Sequence, residues 1–175
     1  KRTVMDKIVI ACETLKDELT GAVNKTGCHL PIIWVDSVYH TDPEKLREKL
    51  QQEINSAEKA DNILLAFGSC GNAVAGLKAT SANLIIPKTD DCISMLLSRQ
   101  GEEFKRAERT YFLTRGWIES TRSLEAEYER DLERYGRKTT ERIFKLMLGS
   151  YRYLMLIDTG HYDVNKYRSR AERIA

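Results

Sequence analysis

The sequence predicts a single α/β domain over residues 1–175, with a mainly parallel open sheet flanked by helices in a Rossmann-like, three-layer arrangement. Two observations carry that expectation. Short continuous apolar runs recur along the chain, the pattern of strands buried on both faces of a parallel sheet. Between them lie segments whose apolar residues repeat at helical period. The composition agrees, because 42% hydrophobic and 31% charged residues are ordinary for one domain with a sizeable core.

The six apolar runs are KIVIAC at 7–12, PIIWVD at 31–36, NILLAF at 62–67, NLIIP at 83–87, TYFLT at 110–114 and YLMLID at 153–158. Each reads as one strand. The clearest helix is PEKLREKLQQEINSAEKA at 43–60, where Asp42 can cap, Pro43 suits the first turn, and Leu46, Leu50, Ile54 and Ala57 form one apolar stripe. Residues 117–149 read as a helical insertion between the last two strands. Leu124, Tyr128, Leu132 and Tyr135 are at helical spacing, GRK is a break, and ERIFKLML is a second helix. Its many charges read as a solvated surface. The final YRSRAERIA looks like an unfinished amphipathic helix and leaves room for the natural chain to continue past Ala175.

A net charge of +2, with no dense basic run interleaved with aromatics, argues against a nucleic-acid partner. No apolar run approaches the roughly 20 residues needed to cross a bilayer, and no secretion signal is evident, so a cytoplasmic protein without a membrane role is expected. Four cysteines, at 12, 28, 70 and 92, form neither CxxC pairs nor a secreted disulfide framework.

Three of those cysteines share one address. Cys12 ends the first strand, Cys70 follows the third in LLAFGSCGNAVAGL, and Cys92 follows the fourth in LIIPKTDDCISMLLS. In an open α/β sheet the loops leaving the carboxyl ends of parallel strands gather at one edge, where ligands bind. Each cysteine is also expected near a helix N-terminus, an environment that lowers a thiol's pKa and favours the thiolate that ligates metals or attacks electrophiles. Cys28 reads as a small interior hydrophobe.

The glycines at 68, 71 and 76 fit neither a dinucleotide fingerprint nor a P-loop, which argues for chemistry other than standard nucleotide binding. Three thiolates with an open position suit a [4Fe–4S] cluster with one free iron, or zinc with a fourth ligand. His40, after the second strand, and His161, after the sixth, are the candidates for that fourth position. Ser69, Gly71 and Asn72 in GSCGN are expected to border the bound group, Asn72 either facing it or capping a helix. Arg115, in YFLTRGWIE, could neutralise an anionic substrate with Trp117 as a pocket wall, or form a surface ion pair beside a core tryptophan.

The ordered set IACETL, GSCGNAVAGL, IPKTDDCISMLLS, YFLTRGWIE and LIDTGHYD resembles the domain-of-unknown-function family 1638 of methanogens and other anaerobes, over nearly the whole chain. The resemblance implies cysteines at the positions of Cys12, Cys70 and Cys92. It also implies a setting in one-carbon metabolism, beside corrinoid-dependent methyltransferase systems. The family's strand-end motif has Pro at the position of Arg115, which weakens the case for that residue.

The expectation is therefore a metal-dependent enzyme of methyl-transfer or lyase type, with a small-molecule or thiol substrate at the open metal position. The alternatives are an accessory or metal carrier serving a corrinoid protein or its methyltransferase, and an anion-binding module built on the backbone N–H groups of GSCGN.

Overall fold

Six strands form where the six apolar runs stand, and every strand pair named below is parallel. The computed structural model describes residues 6–57, 59–79, 81–99, 102 and 104–175. The chain divides into two compact units, Lys1–Phe104 and Lys105–Ala175.

The first unit holds β1 (Lys7–Cys12), β2 (Ile32–Val35), β3 (Asn62–Ala66) and β4 (Asn83–Ile85) in the order β2-β1-β3-β4. Its helices are α1 (Lys16–Thr26), α2 (Pro43–Ser56) and α3 (Cys92–Leu97), with 3-10 turns at Glu13–Leu15 and Ser37–Thr41. Asp42 caps α2 by accepting from the Glu44 and Lys45 N–H groups, and Pro43 follows at a position that needs no donor. The Leu46, Leu50 and Ile54 stripe is buried. It packs with Ile10, Val35, Ile63, Leu65 and Phe67 into one core, each large side chain contributing about 1.5–3 kcal/mol through burial. The helix expected through 60 stops at Ser56, where the Ala57 N–H turns back to the Ile54 carbonyl.

The segment after β3 differs from expectation. Residues 70–76 are turns, because Cys70, Gly71 and Asn72 have φ of +44°, +68° and +68°. Three successive left-handed residues cannot enter a right-handed helix.

The second unit holds β5 (Thr110–Leu113) paired with β6 (Tyr153–Leu156), and α4 (Arg115–Ile118), α5 (Leu124–Tyr135), α6 (Arg137–Leu148) and α7 (Val164–Ile174). Side-chain oxygens of Thr114, Ser123 and Asp163 cap α4, α5 and α7. Gly136, at φ +74°, breaks α5 from α6 within the expected GRK interruption. Leu113, Ile118 and Ala171 form the core of this unit, with Trp117, Leu154, Leu156 and Tyr167 packed around them. No helix among the described residues is long and apolar enough to cross a membrane.

Candidate functional site

Parallel pairing brings the carboxyl ends of β1, β2 and β3 to one edge of the first sheet, and four sulfur and nitrogen donors meet there. Cys12 is the last residue of β1 and is fully buried. Its Sγ lies 3.1 Å from His40 Nε2 and 2.9 Å from Thr14 Oγ1. Cys92 interacts electrostatically with both Cys12 and Cys70. His40 interacts with the same two. Cys12, Cys92, Cys70 and His40 thus form one ring of linked titratable groups, assembled from four segments of chain.

Local sequence explains how each donor is held. His40 sits on the 3-10 turn after β2, which Asp36 caps by accepting from the Val38 N–H at 2.7 Å. Its ring stacks on Phe67, with centroids 6.2 Å apart. The loops carrying Cys70 and Cys92 are strapped together, the Ser69 N–H donating to the Thr89 carbonyl at 2.8 Å and the Cys70 N–H to the Asp90 carbonyl at 2.9 Å. Gly68 permits this approach, because a Cβ there would stand 2.4–2.6 Å from the Asp91 backbone. Asp91 in turn caps α3, accepting from the Ser94 N–H and hydroxyl. Cys92 therefore starts its helix directly against the Cys70 loop. The left-handed backbone at Cys70 is a strained conformation for a residue with a Cβ. The hydrogen bonds of its loop and of its thiol accompany that strain.

The ring polarises its members. The Cys92 hydrogen bond holds Cys12 well below the ordinary thiol value, against the opposing effect of burial, and the cationic His40 adds to the lowering. Cys70 is lowered to about 6, again first by Cys92, against burial and with help from His40. Burial alone would lower His40, but its interactions with Cys12 and Cys70, which favour the N–H donor form beside their negative charge, raise it to about 10. Cys92 goes the other way. Donating to Cys12 and Cys70 favours its neutral form, burial acts in the same direction, and its pKa rises well above the ordinary value. The ring thus favours the thiolate at Cys70 and Cys12, the imidazolium at His40 and the thiol at Cys92. The expected lowering at a helix N-terminus is reversed for Cys92, because two adjacent thiolates outweigh a six-residue helix.

The remaining sequence candidates fall in different places. Ser69, Gly71 and Asn72 lie on the Cys70 loop. The Ser69 hydroxyl is 3.4 Å from Asn72 Oδ1, the Asn72 carbonyl accepts from Arg47 at 3.0 Å, and Gly71 abuts Pro43. Asn72 caps no helix, since none follows. Arg115 and Trp117 belong to the second unit, where Arg115 contacts Glu119 and donates to the Tyr167 hydroxyl, and the Trp117 indole donates to the Tyr111 hydroxyl. His161 also belongs to the second unit, in the turn between β6 and α7. Cys28 is exposed after α1, not interior, and is not a member of the ring. Sequence reading overlooked Thr14 and Phe67, which support Cys12 and His40. Their positions beside the ends of β1 and β3 were the available signal.

Three thiols and one imidazole are the Cys3His donor set of tetrahedral zinc sites. Among the described residues, no group of three or more His, Cys, Asp or Glu stands in a ready metal-binding arrangement. Cys12 Sγ and His40 Nε2 at 3.1 Å are closer than the spacing of about 3.5 Å between sulfur and nitrogen donors of one tetrahedral zinc ion.

The family model described as "Protein of unknown function (DUF1638)" matches residues 34–175. No curated protein and no solved structure matches the chain.

Proposed function

The chain belongs to the DUF1638 family, and we propose that it is a metal-thiolate protein in which Cys12, Cys70, Cys92 and His40 bind one zinc ion. The observation that carries this reading is the 3.1 Å contact of Cys12 Sγ with His40 Nε2, within a ring in which Cys12, Cys70, Cys92 and His40 shift one another's protonation. A set of three sulfurs and one imidazole matches soft divalent ions better than magnesium or calcium, which take oxygen ligands. The imidazole of His40 beside Cys12 supports zinc over the [4Fe–4S] cluster, because it offers a fourth donor of the type zinc takes.

Zinc held there supplies Lewis acidity, which stabilises a bound thiol as its thiolate. The protein's own residues prepare for it. Cys12 and Cys70 are both shifted toward their thiolates, Thr14 holds the Cys12 sulfur through a second hydrogen bond, and the imidazole stacks on Phe67. Cys70 and Cys92 are both only partly buried, and of the two Cys70 is the one shifted toward its thiolate, so it is the sulfur offered to an incoming small molecule or thiol. One-carbon metabolism, with a corrinoid protein or methyltransferase as partner, is the setting proposed for this centre. Four free thiols suit the reducing cytoplasm.

The test is purification without oxygen, followed by metal and acid-labile sulfide analysis. One zinc per chain without sulfide is the expected result. Each of Cys12→Ser, Cys70→Ser and Cys92→Ser should lose most of the metal and Cys28→Ser should keep it. Iron with equimolar sulfide would replace zinc by the cluster. Metal-free protein, with all three variants folding unchanged, would end the metal reading. A second reading rests on Cys70, whose low pKa and partial exposure are those of a nucleophilic thiolate beside an imidazolium. It is favoured if the metal-free chain alone is modified stoichiometrically at Cys70 by a substrate electrophile.

A further inference from the structure

The loop between β4 and α3 does more than position Cys92. With the segment after α3 it lines a cavity of about 720 Å³, within the range of small-molecule sites. The wall carries two cations, Lys88 and Arg99, and two carboxylates, Asp90 and Glu102. None of these four side chains makes an ion pair among the described residues. Thr89, between Lys88 and Asp90, has its hydroxyl oxygen buried without a hydrogen-bond partner, a condition that costs free energy until a ligand or water completes it. Ser69, the neighbour of Cys70, lines the same cavity and is tied by its N–H to the Thr89 carbonyl. The cavity and the cysteine ring therefore share two loops.

Equal numbers of unpaired opposite charges select for a ligand that carries both signs. A simple anion would leave two carboxylates facing it, and a simple cation would leave Lys88 and Arg99 uncompensated. We propose that this cavity, formed where the Lys88–Asp90 loop meets Arg99 and Glu102 beside the cysteine ring, binds a small zwitterion of the α-amino-acid class. Its carboxylate pairs with Lys88 and Arg99, and its ammonium group with Asp90 and Glu102. The inference names the substrate class for the metal-thiolate centre and rests on that reading for the ligand's use, though not for its binding.

The experiment is calorimetric titration of the metal-free full chain with each of the twenty common L-amino acids, and with acetate, methylamine and inorganic phosphate as single-charge probes. At least one amino acid should bind with a Kd below about 1 mM, and the three single-charge probes at least tenfold more weakly. Arg99→Gln and Glu102→Gln, each checked for folding by circular dichroism, should weaken that binding about tenfold; Lys88→Gln replaces either one that fails to fold. Absence of amino-acid binding, phosphate or acetate binding as tightly as the best amino acid, or unchanged affinity in the variants would each overturn the proposal. A chain that takes amino acids but no metal sinks the metal reading alone, and one that takes metal but no amino acid sinks the cavity alone.

Discussion

Cys92 is pushed toward its neutral form by Cys12 and Cys70, and its interaction with each favours the thiolate in those neighbours. The consequence is measurable at Cys70, the partly exposed member of the pair. In metal-free Cys28→Ser protein, the rate of Cys70 alkylation by iodoacetamide should rise with a midpoint near pH 6 and be level by neutrality. His40→Ala removes a hydrogen bond and a positive charge that lower this thiol. The midpoint should then move up toward the ordinary value of 9.0. A midpoint already at the ordinary value in the parent would mean that the ring does not polarise Cys70 in solution. Sequence placed Cys12, Cys70 and Cys92 at one edge, because strand ends are legible from apolar runs. It left His40 and His161 equivalent, since each follows a strand and only contact distinguishes them.

At the scale of elements, the site depends on two loops being close enough to share backbone hydrogen bonds. Gly68→Ala would place a methyl group 2.4–2.6 Å from the Asp91 backbone, and backbone cannot yield as a flexible side chain does. Overpacking of this kind costs about 1–3 kcal/mol, read as a lower urea midpoint, and should also cut metal content by separating Cys70 from Cys92. Gly27, where α1 ends at φ +64°, has nothing within 4 Å of the place an added methyl group would take. Gly27→Ala should therefore incur only the left-handed backbone penalty of roughly 1–2 kcal/mol and keep its metal. Loss of metal in both variants, or in neither, would contradict the strap. The strands and α2 were legible because their signals are periodic and local. The helix expected after Cys70 was misread because GSCGNAVAGL has helix-compatible residues, while Cys70, Gly71 and Asn72 are turned left-handed by contacts with Asp90 and Pro43, from elsewhere in the chain.

For the molecule as a whole, the ring makes stability depend on pH with a sign that follows from its protons. His40, raised by folding, stabilises fully below 6.5 and loses that contribution as pH climbs through about 10. Cys12 and Cys70, lowered by folding, stabilise above 9.0 and lose the contribution as pH falls, Cys70 doing so through about 6. Cys92, raised, stabilises below 9.0 and loses its contribution above it. Between 6.5 and 9.0 the unfolded chain holds a proton on each of the three thiols, while the folded ring holds one on His40 and one on Cys92, has lost that of Cys70 and loses that of Cys12 below 9.0. The unfolded state binds more protons there, so stability rises with pH. Above 9.0 the order reverses and stability falls. The two tryptophans lie in different units, Trp34 in β2 and Trp117 in α4, so Trp117→Phe leaves Trp34 as a reporter of the first unit alone. Urea midpoints followed by Trp34 fluorescence in metal-free protein should peak near pH 9; a steady decline from pH 6.5 upward would overturn the assignment of two thiolates.

The amino-acid sequence by itself determined the alternation of strands and helices, the parallel character of the sheet and the three cysteines at strand ends, since each is written in apolar period and spacing within a few residues. Tertiary structure alone decided that His40 joins them, that Cys92 is the thiol which stays protonated, and that Arg115 and Trp117 lie in the other unit with partners of their own. Those outcomes follow from the strand order β2-β1-β3-β4 and from a glycine that lets two loops touch. Both are contacts between residues distant in sequence, and no local pattern records them.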